Sequence, residues 1–303
     1  MMLLLTVVYE NGNEDIIDEV NAMKKYFRDR NIIIGFSESL EFNTHFLKIF
    51  CEDSSVNKRF MDIFNLYMSN ILYNMVISEY YKKNMQGFLT DTYFFLKYDE
   101  IKEIKRLSLE AFKSEGAILN EYMVYFRNRK NSIIQKIIEC IAENKEINIK
   151  GFITFRMKEL LGDLESIIDK VVESYMVERE YNEFISLLKY FVELQDSKID
   201  KVNILIQKDG SYIILDEAGN NIMDSLLSDL SDVKYNATVN IEDMLLSGLI
   251  TNAPKKIIIH GAENCTNKEV LDTIKKVFEN RAIICSGCNM CKKIRQGIKL
   301  CKD

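Results

Sequence analysis

The sequence predicts an α+β protein with a strand-rich unit at each end and a long helical body between them. Three observations predict this class. Short apolar segments typical of strands occur in the first 53 residues and again after residue 197, apolar residues between them recur every three or four positions, and the 303-residue chain contains one proline. We therefore expect three parts, 1–53, 54–197 and 198–303.

The first part predicts a small β-α-β-β unit. Residues 3–9 read as a strand, 13–29 as a helix, and 32–36 and 42–50 as two further strands. The apolar start meets Glu10 at once and has no cationic segment before it, which is unlike a signal peptide.

The middle part predicts long helices with period 3.6. Residues 149–175 form one predicted helix and 178–195 the next. Arg156 falls inside the apolar stripe of the first. Because an unpaired buried charge is costly, we expect Arg156 to pair with a glutamate at the start of the second helix, with an anion site as the alternative. The candidate partners are Glu178, Glu180 and Glu183.

Two segments of this body carry a family resemblance. GFITFRMKEL, residues 151–160, and EREYNEFISLLKYFVELQ, residues 178–195, resemble the signature of the YtxC family of sporulation proteins from endospore-forming bacteria. The resemblance implies a role in endospore formation but supplies no reaction, so no catalytic residue is carried over. We expect a non-enzymatic binding or scaffold protein with another protein as its partner.

The helical body should then present a surface for that partner. Such a surface would be an exposed apolar or aromatic patch, for which Tyr73, Tyr80 and Tyr81 are the candidates.

The last part predicts a hairpin followed by a strand-helix-strand unit. Residues 202–206 and 212–215 flank the turn former Asp209-Gly210, and residues 256–260, 267–278 and 281–285 read as strand, helix and strand. A crossover of this kind makes its two strands parallel, so their carboxyl ends share one edge. We therefore expect His260 and Cys285 to lie on the same edge.

The cysteines near the end of the chain are the concentrated reactive groups. Cys285, Cys288 and Cys291 follow two consecutive C-x-x-C spacings, and Cys301 comes later. Thiolates suit zinc and iron–sulfur clusters. A metal site on these three cysteines, with a fourth ligand from His260, Cys265 or Cys301, is one hypothesis for this segment. A redox or disulfide switch, and free thiols in a terminal segment, are the alternatives.

Bulk properties narrow the function classes. The formal charge of −6 and the pI near 5.3 make a dedicated nucleic-acid binder unexpected. The sequence has two histidines and lacks a Gly-x-Gly-x-x-Gly or P-loop motif, so we lean against an enzyme. The number of cysteines, seven, is odd, which predicts reduced thiols rather than a disulfide framework. No long apolar run occurs, so we expect no membrane span and a cytoplasmic protein.

Overall fold

The computed structural model describes residues 1–10, 15–114, 122–226 and 240–296, apart from the side chains of Asp15, Ile153, Arg156 and Met157. Its helices and two small mixed sheets confirm the predicted α+β class. Residue contacts divide the chain into two compact units, Met1–Met176 and Val177–Asp303. The three-part division at residues 53 and 197 stays a prediction. No helix of the described ranges is both long and apolar enough to cross a membrane.

The first unit begins with the predicted β-α-β-β arrangement. It consists of β1 (Met2–Glu10), α1 (Asp15–Arg28), β2 (Ile34–Glu41) and β3 (Thr44–Cys51). The strand order is β2-β3-β1-β4, in which β4 (Glu146–Asn148) lies parallel to β1. The sequence pattern missed β4, because three residues are too few to show period-two alternation.

Helices make up the rest of this unit. They are α2 (Lys58–Lys83), α3 (Met85–Thr92), α4 (Tyr98–Lys113), α5 (Met123–Glu143) and the first part of α6 (Ile149–Leu194). Of the three tyrosines proposed for an exposed patch on this body, Tyr73 and Tyr80 are wrong, and Tyr81 is half-buried. Tyr73 and Tyr80 are 2% and 0% exposed, and the Tyr73 hydroxyl donates a hydrogen bond to the Phe112 carbonyl at 2.8 Å. Both rings lie in the core because their positions face α4 and α5 rather than solvent.

A single helix replaces the two predicted between residues 149 and 195. Helix α6 continues through the stretch between the two apolar segments, since no glycine or proline stands there to end it. Glu178, Glu180 and Glu183 therefore lie on the same helix as Arg156, and the expected neighbouring helix is wrong. Glu183 forms an ion pair at 3.4 Å with Arg179, which lies one turn earlier on the same helix.

The second unit is built on a sheet of order β6-β5-β7-β8. The strands are β5 (Lys201–Ile206), β6 (Tyr212–Leu215), β7 (Lys256–His260) and β8 (Ala282–Ile284). β5 and β6 form the predicted antiparallel hairpin, and β5, β7 and β8 run parallel, as the crossover predicts.

The two faces of this sheet are covered unequally. One face packs against the end of α6, α8 (Ile241–Asn252) and α9 (Lys268–Phe278), with side chains such as Ile204, Ile259 and Ile274 fully buried. The short helix α7 (Met223–Leu226) adds Leu226 to this core. On the other face α10 (Asn289–Arg295) buries Ile294 against Leu205 and Leu215.

Candidate metal centre

The carboxyl edge of the second sheet brings His260 and Cys285 together. His260 is the last residue of β7, and Cys285 follows the last residue of the adjacent parallel strand β8. The Cys285 amide donates to the Ile259 carbonyl at 2.8 Å, which extends the ladder by one residue. The strand pairing therefore fixes the backbone of both residues, as the sequence predicts.

A tight turn returns the chain over this edge. Gly287 has φ +139, a conformation that favours glycine, and Cys288 stands immediately before α10. The Lys292 amide donates to the Cys288 carbonyl at 3.0 Å, so Cys288 begins the helix and Cys291 lies in its first turn. The two C-x-x-C spacings thereby wrap three thiols around one point.

The ligand atoms of His260, Cys285, Cys288 and Cys291 all lie within 4.8 Å of one another. The His260 Nδ1 atom is 3.4 Å from the Cys288 sulfur and 3.5 Å from the Cys291 sulfur, and these two sulfurs are 4.0 Å apart. Three thiols and one imidazole nitrogen form a donor set typical of zinc sites.

Two of the four candidate ligands are buried and two are partly exposed to solvent. His260 and Cys291 are 4% and 3% exposed, whereas Cys285 and Cys288 are half-buried. A metal ion in this cluster would be shielded by protein on one side and reached from solvent past Cys285 and Cys288.

The orientation of the His260 ring is set by Asn203 on the neighbouring strand β5. The Asn203 side-chain amide donates to the Asp216 carbonyl at 3.1 Å, which leaves its oxygen 3.4 Å from His260 Nε2. An oxygen acceptor at this place favours the tautomer with the proton on Nε2. The lone pair of Nδ1 then points at the thiols, as a metal ligand requires.

Electrostatics keeps the imidazole neutral. Burial lowers the pKa of His260 below its ordinary value, and the positive charge of Lys201 lowers it further. A neutral imidazole is the form that binds metals.

The pKa values of Cys288 and Cys291 are shifted in opposite directions. Burial raises the pKa of Cys288, but hydrogen bonds from the backbone of Cys291 and Met290 outweigh it, so the net pKa is lowered. Burial dominates at Cys291 and raises its pKa, although backbone hydrogen bonds from Cys288 and Gly261 act against it. The thiolate that a metal needs is therefore favoured at Cys288, whereas at Cys291 burial still favours the protonated thiol.

Gly261 is the residue that lets the chain leave β7 beside the cluster. Its φ is +70, and an added Cβ would lie 2.5 Å from the Ile206 carbonyl oxygen and 3.4 Å from the Ile294 side chain. No other residue fits there without moving β5 or α10.

Cys265 lies outside the cluster. The loop after Gly261 places Cys265 in the core between the sheet and helices α8 and α9. There its thiol donates to the Asn267 carbonyl at 3.1 Å and lies 3.3 Å from the Tyr212 hydroxyl. Of the two candidates for the fourth ligand that fall in the described ranges, His260 lies beside the thiols and Cys265 does not. Cys301 lies outside the described residues.

The predicted ion pair of Arg156 is not described, because its side chain lies outside the described residues. The pairing of Arg156 with Glu178, Glu180 or Glu183 stays a prediction.

The described cysteines form no disulfide with one another; they are Cys51, Cys140, Cys265, Cys285, Cys288 and Cys291.

Sequence reasoning missed Asn203 and Gly261 as part of this site. A signal for each was present. Asn203 is the polar residue inside the apolar strand Lys201–Ile206, and Gly261 directly follows the one histidine of the second unit.

Fold and site together describe an α+β protein whose second sheet gathers three thiols and an imidazole at one edge. The chain belongs to the YtxC-like family, whose model matches residues 66–283. It is similar to a Bacillus subtilis (strain 168) protein named "Uncharacterized protein YtxC", with 24% identity over 222 residues, which cover 71% of this chain and 75% of the relative. No solved structure matches. The family match includes His260 and ends before Cys285.

Proposed function

We propose that the second unit binds one zinc ion through His260 Nδ1 and the thiolates of Cys285, Cys288 and Cys291. The observation that carries the proposal is the convergence of these four ligand atoms within 4.8 Å. His260 reaches the cluster from the end of β7, 25 residues before Cys285, so the C-x-x-C spacing alone does not produce it.

The separations among His260, Cys288 and Cys291 favour a single metal ion over a cluster. With Zn–S bonds near 2.3 Å and Zn–N bonds near 2.0 Å, a tetrahedral site has S···S separations of about 3.8 Å and N···S separations of about 3.6 Å. The 4.0 Å between two sulfurs and the 3.4 and 3.5 Å from sulfur to nitrogen are close to these values. An iron–sulfur cluster instead needs its ligands spread over several iron atoms.

The zinc ion would have a structural role. Four protein ligands fill a tetrahedral shell and leave no position for substrate, which is typical of structural rather than catalytic zinc. The ligands join β7, β8 and α10, so the ion would hold α10 against the sheet and keep Leu205, Leu215 and Ile294 buried. A structural zinc site is compatible with a binding or scaffold protein.

Metal analysis of the protein purified under reducing conditions tests this proposal. We expect about one zinc per chain and little iron. The Cys288→Ser variant should lose the metal, whereas Cys140→Ser, which changes a half-buried thiol of the first unit, should keep it. Less than about a tenth of an equivalent of any metal in the parent protein, or full occupancy in Cys288→Ser, would contradict a site of this composition.

A thiol–disulfide sensor is a second candidate, favoured by the 4.0 Å between the Cys288 and Cys291 sulfurs. Hydrogen peroxide would oxidise the two thiols to one disulfide and be reduced to two waters, with both thiol protons ending in water. Mass spectrometry without reductant would detect the loss of two hydrogens from the peptide containing both cysteines. A metal-free protein that forms this disulfide reversibly would favour the sensor over the zinc site.

At the cellular level, we propose that the chain acts in the cytoplasm during endospore formation by binding another protein. The support is the resemblance of residues 151–160 and 178–195 to sporulation proteins. Deletion of the gene should lower the yield of heat-resistant spores, and the chain tagged at its N-terminus should recover a partner from sporulating cells. Normal sporulation of the deletion strain would count against this role.

A further inference from the structure

The second half of helix α6 carries an exposed apolar row in addition to its buried face. Val177, Phe184, Leu187, Phe191 and Leu194 are 63%, 49%, 51%, 45% and 65% exposed. On the adjoining face of the same segment, Ile185, Leu188 and Val192 are buried in the core of the second unit. A surface helix needs one apolar face, so the exposed row requires a separate explanation.

The spacing of the row is that of a coiled-coil seam. Val177, Phe184 and Phe191 stand seven residues apart, and Leu187 and Leu194 repeat the same interval between them. These are the a and d positions of a heptad, and Glu180 occupies the remaining d position. We call Val177, Glu180, Phe184, Leu187, Phe191 and Leu194 the seam.

We propose that the seam docks antiparallel against the seam of a second copy of this chain. In this arrangement each a residue faces a d residue of the other copy. Phe184 lies opposite Leu187 of the second copy, Val177 opposite Leu194, and Glu180 opposite Phe191. One register satisfies all six positions at once.

Charge decides between the two possible orientations. A parallel pair would place Glu180 directly against Glu180 of the second copy inside the seam, where like charges repel. The antiparallel pair separates these carboxylates towards opposite ends. It also brings Glu183 beside Tyr190 of the second copy, whose hydroxyl can donate to a carboxylate.

The exposed area is sufficient for a dimer of modest affinity. An aromatic side chain can bury about 150–250 Å², so the half-exposed Phe184, Tyr190 and Phe191 together with the three aliphatic seam residues offer roughly 600 Å² per copy. Two copies would bury about 1,200 Å² in total, which is the lower end of specific interfaces. We therefore expect a concentration-dependent dimer.

Analytical ultracentrifugation of the full chain at about 1–100 μM tests the proposal. We expect a monomer–dimer equilibrium that Leu187→Glu abolishes and Asn182→Glu, an exposed position of the same helix outside the seam, leaves unchanged. Glu180→Leu should tighten the dimer at least about tenfold, because it removes the charge from the seam. Circular dichroism should show the same helix content in all variants.

Mixing the parent protein with Glu180→Lys tests the orientation. Parallel pairing would favour mixed dimers, in which Glu180 faces a lysine, whereas antiparallel pairing should give mixed dimers at their statistical share. A chain that stays monomeric, a dimer that survives Leu187→Glu, or a strong excess of mixed dimers would overturn the proposal.

Discussion

His45 and His260 are the two histidines of the sequence, and each lies on a small mixed sheet of a different unit. His45 Nδ1 lies 2.6 Å from the Glu38 carboxylate, and the ring stacks on Tyr9 at 4.8 Å. His260 Nδ1 instead faces two thiols, and its Nε2 faces an amide oxygen. The residue type is the same, but the carboxylate beside His45 makes a local hydrogen bond, whereas the thiols beside His260 make a candidate metal site.

The largest difference between the two histidines should appear in metal binding. His260→Ala removes one of four ligands. A structural zinc site contributes about 10–16 kcal/mol, so losing a quarter of it lowers the affinity roughly 100-fold or more. His45→Ala should leave the affinity unchanged, because no thiol surrounds it. Competition with a chromophoric chelator measures both, and equal effects of the two variants would remove the basis of the comparison.

The backbone after His260 should be the next most sensitive feature. Gly261→Ala places a Cβ against the Ile206 carbonyl, whereas Gly219→Ala, where φ is also positive, at +87 against +70, has no atom within 4 Å of the added Cβ. Both variants carry the cost of a left-handed residue, about 1–2 kcal/mol. Gly261→Ala should lose about 2 kcal/mol more in urea unfolding, because of the clash. Equal losses would show that β5 and α10 move freely around this loop.

The amide behind His260 should have a smaller effect. Asn203→Leu removes the acceptor for His260 Nε2–H and should lower the metal affinity about tenfold, as is usual for groups that orient a ligand. Glu38→Gln, the corresponding change behind His45, should not alter metal binding. The same chelator competition compares the two. An unchanged affinity in Asn203→Leu would show that the ring needs no support from β5.

The smallest effect should be the pH dependence of the His45 site. Hydrogen bonds from Tyr9 and His45 lower the pKa of Glu38 below its ordinary value of 4.5. A carboxylate with a lowered pKa stabilises the fold above its unfolded pKa, and this stability is lost as the pH falls through the folded pKa. The free energy of unfolding from urea titrations should therefore fall more steeply below pH 4.5 in the parent than in Glu38→Gln, by less than about 1 kcal/mol. Parallel curves would contradict the lowered pKa.

Much of the second unit could be predicted from the sequence because its signals are local. The turn former Asp209-Gly210 predicted the hairpin of β5 and β6. The strand-helix-strand order predicted that β7 and β8 are parallel, and hence that His260 meets Cys285. Asn203 was missed because its contact with His260 joins strands 57 residues apart in the sequence. Cys265 was included in the site because sequence order cannot tell which side of the sheet a loop side chain reaches.

The first unit was predicted less completely. The tyrosines of α2 were expected at the surface because a polar hydroxyl can face either water or a buried carbonyl, and the Phe112 carbonyl that Tyr73 meets lies 39 residues away. The continuity of α6 was missed because charged residues 178–180 look like a helix start. In the structure they lie mid-helix, where glutamate and arginine are also favourable.

X-ray absorption at the zinc edge of the purified, reduced protein tests the central claim most directly. The account predicts one zinc per chain with three sulfurs at about 2.3 Å and one nitrogen at about 2.0 Å, and no neighbouring metal. The nitrogen should be lost in His260→Ala and retained in His45→Ala. A shell of four sulfurs, a shell of oxygen and nitrogen alone, or a metal–metal distance would contradict the site on His260, Cys285, Cys288 and Cys291.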